Sequence, residues 1–239
     1  MVKLNKGETA MLDEAVKGKE TSMSDANQKE TKMANKTQKI ISIYNIKGGV
    51  GKSTIARELA YRLDATLVDC DRGGAQEYMK PLKVVKAPHT IPLNIDDNIV
   101  IYDFAGKDDE RKHGAIMKSD LIVVPYTPTF YALQNTVDSF LQIWLVNKNI
   151  MTIANMLKEE KDLQRSKEDL EEALNQCDES VGEILVLPLR FTRGLQSAEN
   201  KGKTIYDLRE ESSINRLNYE KVCGEIDTIT DTVKRIINV

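Results

Sequence analysis

The sequence predicts an α/β fold: a doubly wound, mostly parallel sheet flanked by helices. Three observations carry that expectation. Short, nearly continuous apolar runs alternate with segments of helical periodicity, the pattern of strands buried on both faces. The first run leads straight into a glycine-rich loop, residues 47 to 54, reading KGGVGKST. Two later runs end on aspartates, Asp69 with Asp71 and then Asp103.

The elements follow in order. Ile40 to Tyr44 is a β-prone run, and Ser53 to Leu63 is a helix with Ile55, Leu59 and Leu63 on one face. Ala65 to Val68 is the second strand. Asn98 to Tyr102 is the third, and Leu121 to Pro125, bounded by Pro125 and Pro128, is the fourth. Apolar residues at 130, 133, 137, 140, 141, 144 and 145 give Phe130 to Val146 helical spacing. Glu183 to Pro188 is a late strand, and Val222, Ile226, Ile229, Val233 and Ile236 mark a C-terminal helix.

Two segments stand apart. Residues 1 to 39 hold no aromatic residue and carry eight Lys against six acids. Such a segment buries too little apolar surface to offset ordering, so it is expected as a mobile polar tail before a domain spanning 40 to 239. Between 158 and 172, 11 of 15 residues are charged, seven of them acidic. With Met156, Leu163, Leu170 and Cys177 spaced by seven, the stretch near 147 to 180 is expected as a charged helical insertion.

Composition narrows the function classes. Lys plus Arg number 34 against 37 acids, a formal charge of -3, so no generally basic surface is expected. Cys70, Cys177 and Cys223 are far apart and form no CxxC pair, which argues against zinc, redox and iron–sulfur centres. No apolar run approaches the ~18 residues of a membrane span. The N-terminus lacks the apolar core of a secretion signal. A cytoplasmic location is expected.

The loop carries the chemistry. Glycines 48, 49 and 51 let the backbone approach phosphates and aim N–H groups at them. The helix that opens near Lys52 adds its positive end. Lys52 is expected on the β- and γ-phosphates and the Ser53 hydroxyl on Mg²⁺, while Thr54 contacts the α-phosphate or caps the helix. The pattern departs from GxxxxGK[ST], because Ile46 stands where the first glycine belongs and Lys47 precedes the glycines. Asp103 at its strand end suits Mg²⁺ held through water. Asp69 and Asp71 alternate along one strand, so both carboxylates point to one side, where either can orient an attacking water. ATP and Mg²⁺ are the expected ligands, Gly48 to Thr54 the nucleotide-binding residues, and Ser53, Asp103 and Asp69 the candidates on the metal side.

With these residues the sequence resembles the ParA/MinD ATPases, whose phosphate loop is the deviant Walker A type. KGGVGKST, LVDCDRGGAQ, IVIYDFAG and SDLIVVPYTPTFYAL carry the resemblance, and AENKGKTIYDL near the end is similar to the small plasmid-partition ParA/ParF proteins. It covers residues 40 to about 146 and 181 to 239. It implies a P-loop ATPase fold with weak hydrolysis. Lys47 matches the signature lysine that reaches across an ATP-bound homodimer to the partner's nucleotide. Lys47, Lys52 and Asp71, the last matching the acid that positions water, are the implied catalytic set. Implied partners are non-specific DNA and a centromere-binding, ParB-like adaptor that stimulates hydrolysis, with a nucleoid-associated location. Candidate DNA contacts are Arg190, Arg193, Lys201, Lys203, Arg209, Arg216, Lys234 and Arg235, although 190 to 239 hold nine basic and eight acidic residues.

The sequence also departs from the family. Arg72-Gly73 stands where the family has Pro-Gln, and the link before Thr66 lacks a glycine. The insertion has no counterpart among small members, and the tail is too short and polar for a helix-turn-helix. Two alternatives stay open. One is a MinD-like ATPase cycling on membranes, disfavoured because ITDTVKRIINV lacks an aromatic anchor. The other is a small-molecule phosphotransferase on the same fold.

Overall fold

The computed structural model describes residues 38–71, 82–87, 89–106 and 111–239. The expectation for the tail falls on residues outside this range, except that Gln38 and Lys39 belong to the folded part. Strand β1 starts at Lys39, and the Gln38 side chain donates to the backbone carbonyls of Ile95 and Asp97.

Among the described residues, seven strands form one sheet in the order β3-β2-β4-β1-β5-β6-β7. They are β1 (Lys39–Ile43), β2 (Thr66–Asp69), β3 (Lys83–Lys86), β4 (Ile99–Asp103), β5 (Leu121–Tyr126), β6 (Ile150–Leu157) and β7 (Val186–Arg190). Every pair is parallel, with β1 matching Ile41 to Ile101 on β4 and to Leu121 on β5. The helices are α1 (Lys52–Leu63), α2 (Lys112–Lys118), α3 (Phe130–Trp144), α4 (Asp162–Cys177), α5 (Arg193–Asn200), α6 (Ile205–Glu210) and α7 (Ser213–Ile237).

Alternation along each strand divides the core between the two faces. Ile41, Ile43, Leu67, Ile101 and Val123 pack under α1, through Ile55 and Leu59, and under α7, through Val222, Ile226, Ile229 and Val233. Ile40, Tyr44, Val100, Tyr102, Ile122 and Val124 face the other way, against Ala115 and Ile116 of α2. Tyr126, Phe140, Ala154, Leu170 and Leu174 continue that layer between α3 and α4. The chain winds from β1 toward β2 and later toward β7, so the loop after β1 lies at the switch point, where open α/β sheets bind ligands.

Two expectations need correction, and one strand lies outside them. Residues 147 to 180 are not wholly helical, because Ile150–Leu157 forms β6, an eight-residue strand between β5 and β7. The dense charge of residues 158 to 172 masks this apolar run in the sequence. The seven-residue seam is not the buried face of α4 either. Ser166, Leu170 and Leu174 are buried there, whereas Met156 lies in β6 and Cys177 is exposed. Strand β3 was not expected. It reads Lys-Val-Val-Lys, a short strand edged with charge, as natural sheets place at their margins.

Candidate functional site

The loop between β1 and α1 is held from two sides. Asn45, fully buried, donates to the Pro125 carbonyl and to Thr136 Oγ1, both at 2.9 Å. Its Oδ1 accepts from the Lys47 amide at 2.8 Å, and Ser139 Oγ accepts from the Ile46 amide at 3.0 Å. On the far side, Asn155 Nδ2 donates to the Val50 carbonyl at 2.8 Å. A bulge in β6 aims Asn155 this way: the register shifts there and Met156 takes φ +61°, while Asn155 Oδ1 accepts from the Met156 amide.

Glycine is required where these parts meet. Gly51 has φ +92°, and a Cβ on it would sit 2.1 Å from Asn155 Nδ2. Gly51 caps α1 without a side-chain acceptor, and the first turn of α1 holds no acid. The positive end of a twelve-residue helix therefore faces the loop unneutralised, an anion site by construction.

The charged groups converge behind it. Lys52 is buried and donates to the Lys47 carbonyl at 3.1 Å. Burial pushes its pKa below the usual lysine value, and Asp103 and Asp71 pull it back. Asp103, fully buried at the end of β4, accepts from Ser53. Desolvation raises its carboxyl to about 7, with Ser53 and Lys52 opposing and Asp69 and Asp71 adding. A carboxylate held in that condition favours an incoming cation. Gly106 closes the floor, since a Cβ there would lie 3.0 Å from Lys52 Nζ and 3.1 Å from Gly48.

The result is a cavity of about 390 Å³. Gly48, Gly49, Gly51, Lys52, Ser53, Thr54, Asp71 and Asn155 line it, joined by Phe191 and Thr192 after β7 and by Leu195, Gln196 and Glu199 of α5. Val50 is buried under the loop. Lys47 is exposed and lines an adjoining, larger groove together with Phe130 and Arg165, sharing Gly48, Gly49, Met156 and Phe191 with the cavity. Asp69 sits behind the cavity: its Oδ2 accepts from Lys86 at 2.9 Å and its Oδ1 from the Asp71 amide at 3.1 Å. Among the described residues, no cluster of three or more His, Cys, Asp or Glu is placed to hold a metal.

The candidate DNA contacts do not converge in the same way. Arg190 donates to Glu225 from both backbone and guanidinium, and it also lines the cavity. Lys201 and Lys203 pair with Glu211, Arg209 and Arg216 with Glu210, and Lys234 with Asp231. Arg235 donates to Thr232 at 3.0 Å, and Arg193 opens α5. Sequence reasoning missed Asn45 and Asn155 as well as the α5 wall. A polar residue ending or interrupting an apolar run was the available signal for both asparagines.

No curated protein matches this chain by sequence. Solved structures do match in fold. The chain is 13% identical to a McdA variant from Cyanothece in complex with ATP, covering 84% of this chain and 97% of that one at a TM-score of 0.58. It is 14% identical to the septum site-determining protein MinD of Pyrococcus horikoshii complexed with Mg-ADP, at the same coverage of 84% and 97% and a TM-score of 0.58. A ParA family ATPase from Chlorobium tepidum matches at 15% identity over 75% of this chain and 95% of that one, with a TM-score of 0.57. A family model matches residues 41–205, and on that match the chain belongs to the CobQ/CobB/MinD/ParA nucleotide binding domain family.

Proposed function

We propose that this chain is an ATP-driven dimer switch that positions DNA, binding MgATP in the cavity and hydrolysing it slowly. One observation carries the reading: the two loop lysines are divided, with Lys52 buried in its own cavity and Lys47 exposed outside it. An exposed lysine that does not line its own cavity is available to a second copy's nucleotide. The ParA and MinD resemblance of the sequence points the same way.

The protein's own groups account for the steps. Backbone N–H groups of 48 to 54 and the end of α1 cradle the phosphates. Lys52 places its charge on the β–γ region, and Asp71 orients the attacking water. Lys47 of a second copy stabilises the charge that develops on the terminal phosphate. The donor set fits Mg²⁺, which takes one or two protein oxygens and completes its shell with substrate phosphates and water. Ser53 and Asp103 would hold it, with Asp69 adding negative charge behind them, and it would neutralise the phosphate oxygens. The α5 end of the cavity takes the nucleoside. In the ATP state the dimer binds non-specific DNA through the basic residues of α5 to α7, and a centromere-binding adaptor stimulates hydrolysis. This places the working protein in the cytoplasm on the nucleoid. Among the described residues, no helix is long and apolar enough to cross a membrane.

Light scattering with and without MgATP tests the switch. Wild type and Asp71→Ala are expected to dimerise with ATP, the latter with hydrolysis reduced about 100-fold or more. Lys47→Ala is expected to bind ATP as a monomer, and Lys52→Ala to lose nucleotide binding. An undiminished ATP-dependent dimer for Lys47→Ala would remove the assigned role of that lysine.

A further inference from the structure

Arg57, on the helix that follows the phosphate loop, is only 1% exposed. A guanidinium withdrawn from water is costly unless acceptors surround it. Arg57 finds them mainly on one neighbour: its Nη1 lies 3.3 Å from Glu199 Oε2, and its Nη2 donates to the Leu195 carbonyl at 3.4 Å. The third acceptor is the adjacent Glu58 at 3.3 Å. Leu195 and Glu199 both belong to α5 and both line the cavity. Leu195, Gln196 and Glu199 are spaced one and four apart, so a single side of α5 presents them.

The other side of α5 has no room to retreat. A Cβ on Gly194 would lie 2.5 Å from the Tyr219 ring and 2.9 Å from Ile205. Thr192 fixes the start of the helix by accepting from the Gly194 amide at 3.0 Å. With α6 and α7 behind it and Arg57 beneath it, α5 is clamped at a set distance from the loop.

We propose that Arg57 is a positioning residue for the nucleoside, holding Glu199 at the cavity edge so that its carboxylate accepts a hydrogen bond from the sugar or base. The inference rests on the nucleotide reading of the cavity and deepens it. The phosphates are assigned to residues 48 to 54, so the nucleoside must lie toward α5. There Phe191 and Leu195 offer apolar surface, and Gln196 and Glu199 offer polar groups. A sugar hydroxyl or exocyclic amine is a donor, and a carboxylate only accepts, so the pairing is matched. Arg57 also withdraws Glu199 from the general negative charge near the phosphates by neutralising it.

Calorimetric titration of the full chain with ADP and with inorganic tripolyphosphate separates the nucleoside from the phosphates. Glu199→Ala changes a half-exposed side chain and should fold as wild type. It and Arg57→Ala are expected to weaken ADP about ten-fold while leaving tripolyphosphate within about two-fold. Arg57→Lys should recover part of the loss, and the double variant should bind ADP no more weakly than Arg57→Ala. In turnover, the KM for ATP should rise by a larger factor than kcat falls. Should Arg57→Ala fail to fold, Glu199→Ala and Arg57→Lys still decide. Wild-type ADP affinity in Glu199→Ala would overturn the proposal, as would equal losses for ADP and tripolyphosphate in the Arg57 variants. Failure of the wild type to bind ADP at all would overturn the nucleotide reading itself.

Discussion

Single side chains fix the loop more than its glycines do. The glycines permit the path, but Asn45 and Asn155 hold it, and each reaches a loop carbonyl or amide from a different part of the fold. Asn155→Ala leaves the Val50 carbonyl without its donor and opens space beside Gly51. The expected outcome is a loss of about ten-fold in ADP affinity with the fold retained, read by calorimetry alongside circular dichroism. Unchanged affinity would mean that the Asn155 contact is dispensable to the loop. The signature residues of the loop were legible in the sequence because their spacing is dictated by phosphate geometry. Asn155 was not, because its partner is 105 positions away and only the bulge in β6 aligns the two.

At the scale of elements, α4 and α1 each make a distinct claim. The buried face of α4 sits on β6 through Leu170 and Leu174, and Ser166 is bonded to the Tyr126 hydroxyl at 2.9 Å. If this unit is core rather than appendage, Leu170→Ala should cost about 2–5 kcal/mol, measured by urea unfolding. A cost below about 0.5 kcal/mol, typical of surface positions, would mark α4 as dispensable. Helix α1 carries a pH signature. Glu58 is buried among Arg57, Asp207 and Cys223, and desolvation lifts its carboxyl to about 7 from an ordinary 4.5. The folded state therefore keeps a proton that the unfolded chain releases. Its contribution is fully present below about pH 4.5 and is lost as pH rises to about 7, an effect on the order of 3 kcal/mol. Asp103 acts in the same direction. Glu58→Gln should remove its share, so the stability of the variant relative to wild type should grow between pH 5 and pH 8. A pH-independent difference would contradict this.

For the molecule as a whole, the parallel, doubly wound class of the sheet was legible because parallel strands buried on both faces leave near-continuous apolar runs. Strand β6 escaped because seven acids and four bases follow it so closely that the segment read as one charged unit. The proposed DNA surface is the least legible feature, since charge along a chain says nothing about which acid will fold beside which base. Six of the eight candidate cations stand in ion pairs. If they bind DNA, they must exchange carboxylates for phosphates, and affinity should fall steeply with salt. A gel shift of random duplex at low salt, present with MgATP and absent without it, is the expected result, and no shift with ATP would remove DNA from the proposal. The two-sided anchoring of the loop has a consequence in time rather than in strength. On the proposed reading, anchors bonded to the loop's own backbone would not change when the terminal phosphate leaves. The loop would then grip ADP as it grips ATP, leaving the difference between the two states to Asp71, Asp103 and the proposed second copy's lysine. The clock of such a switch would be set by how long the spent nucleotide stays.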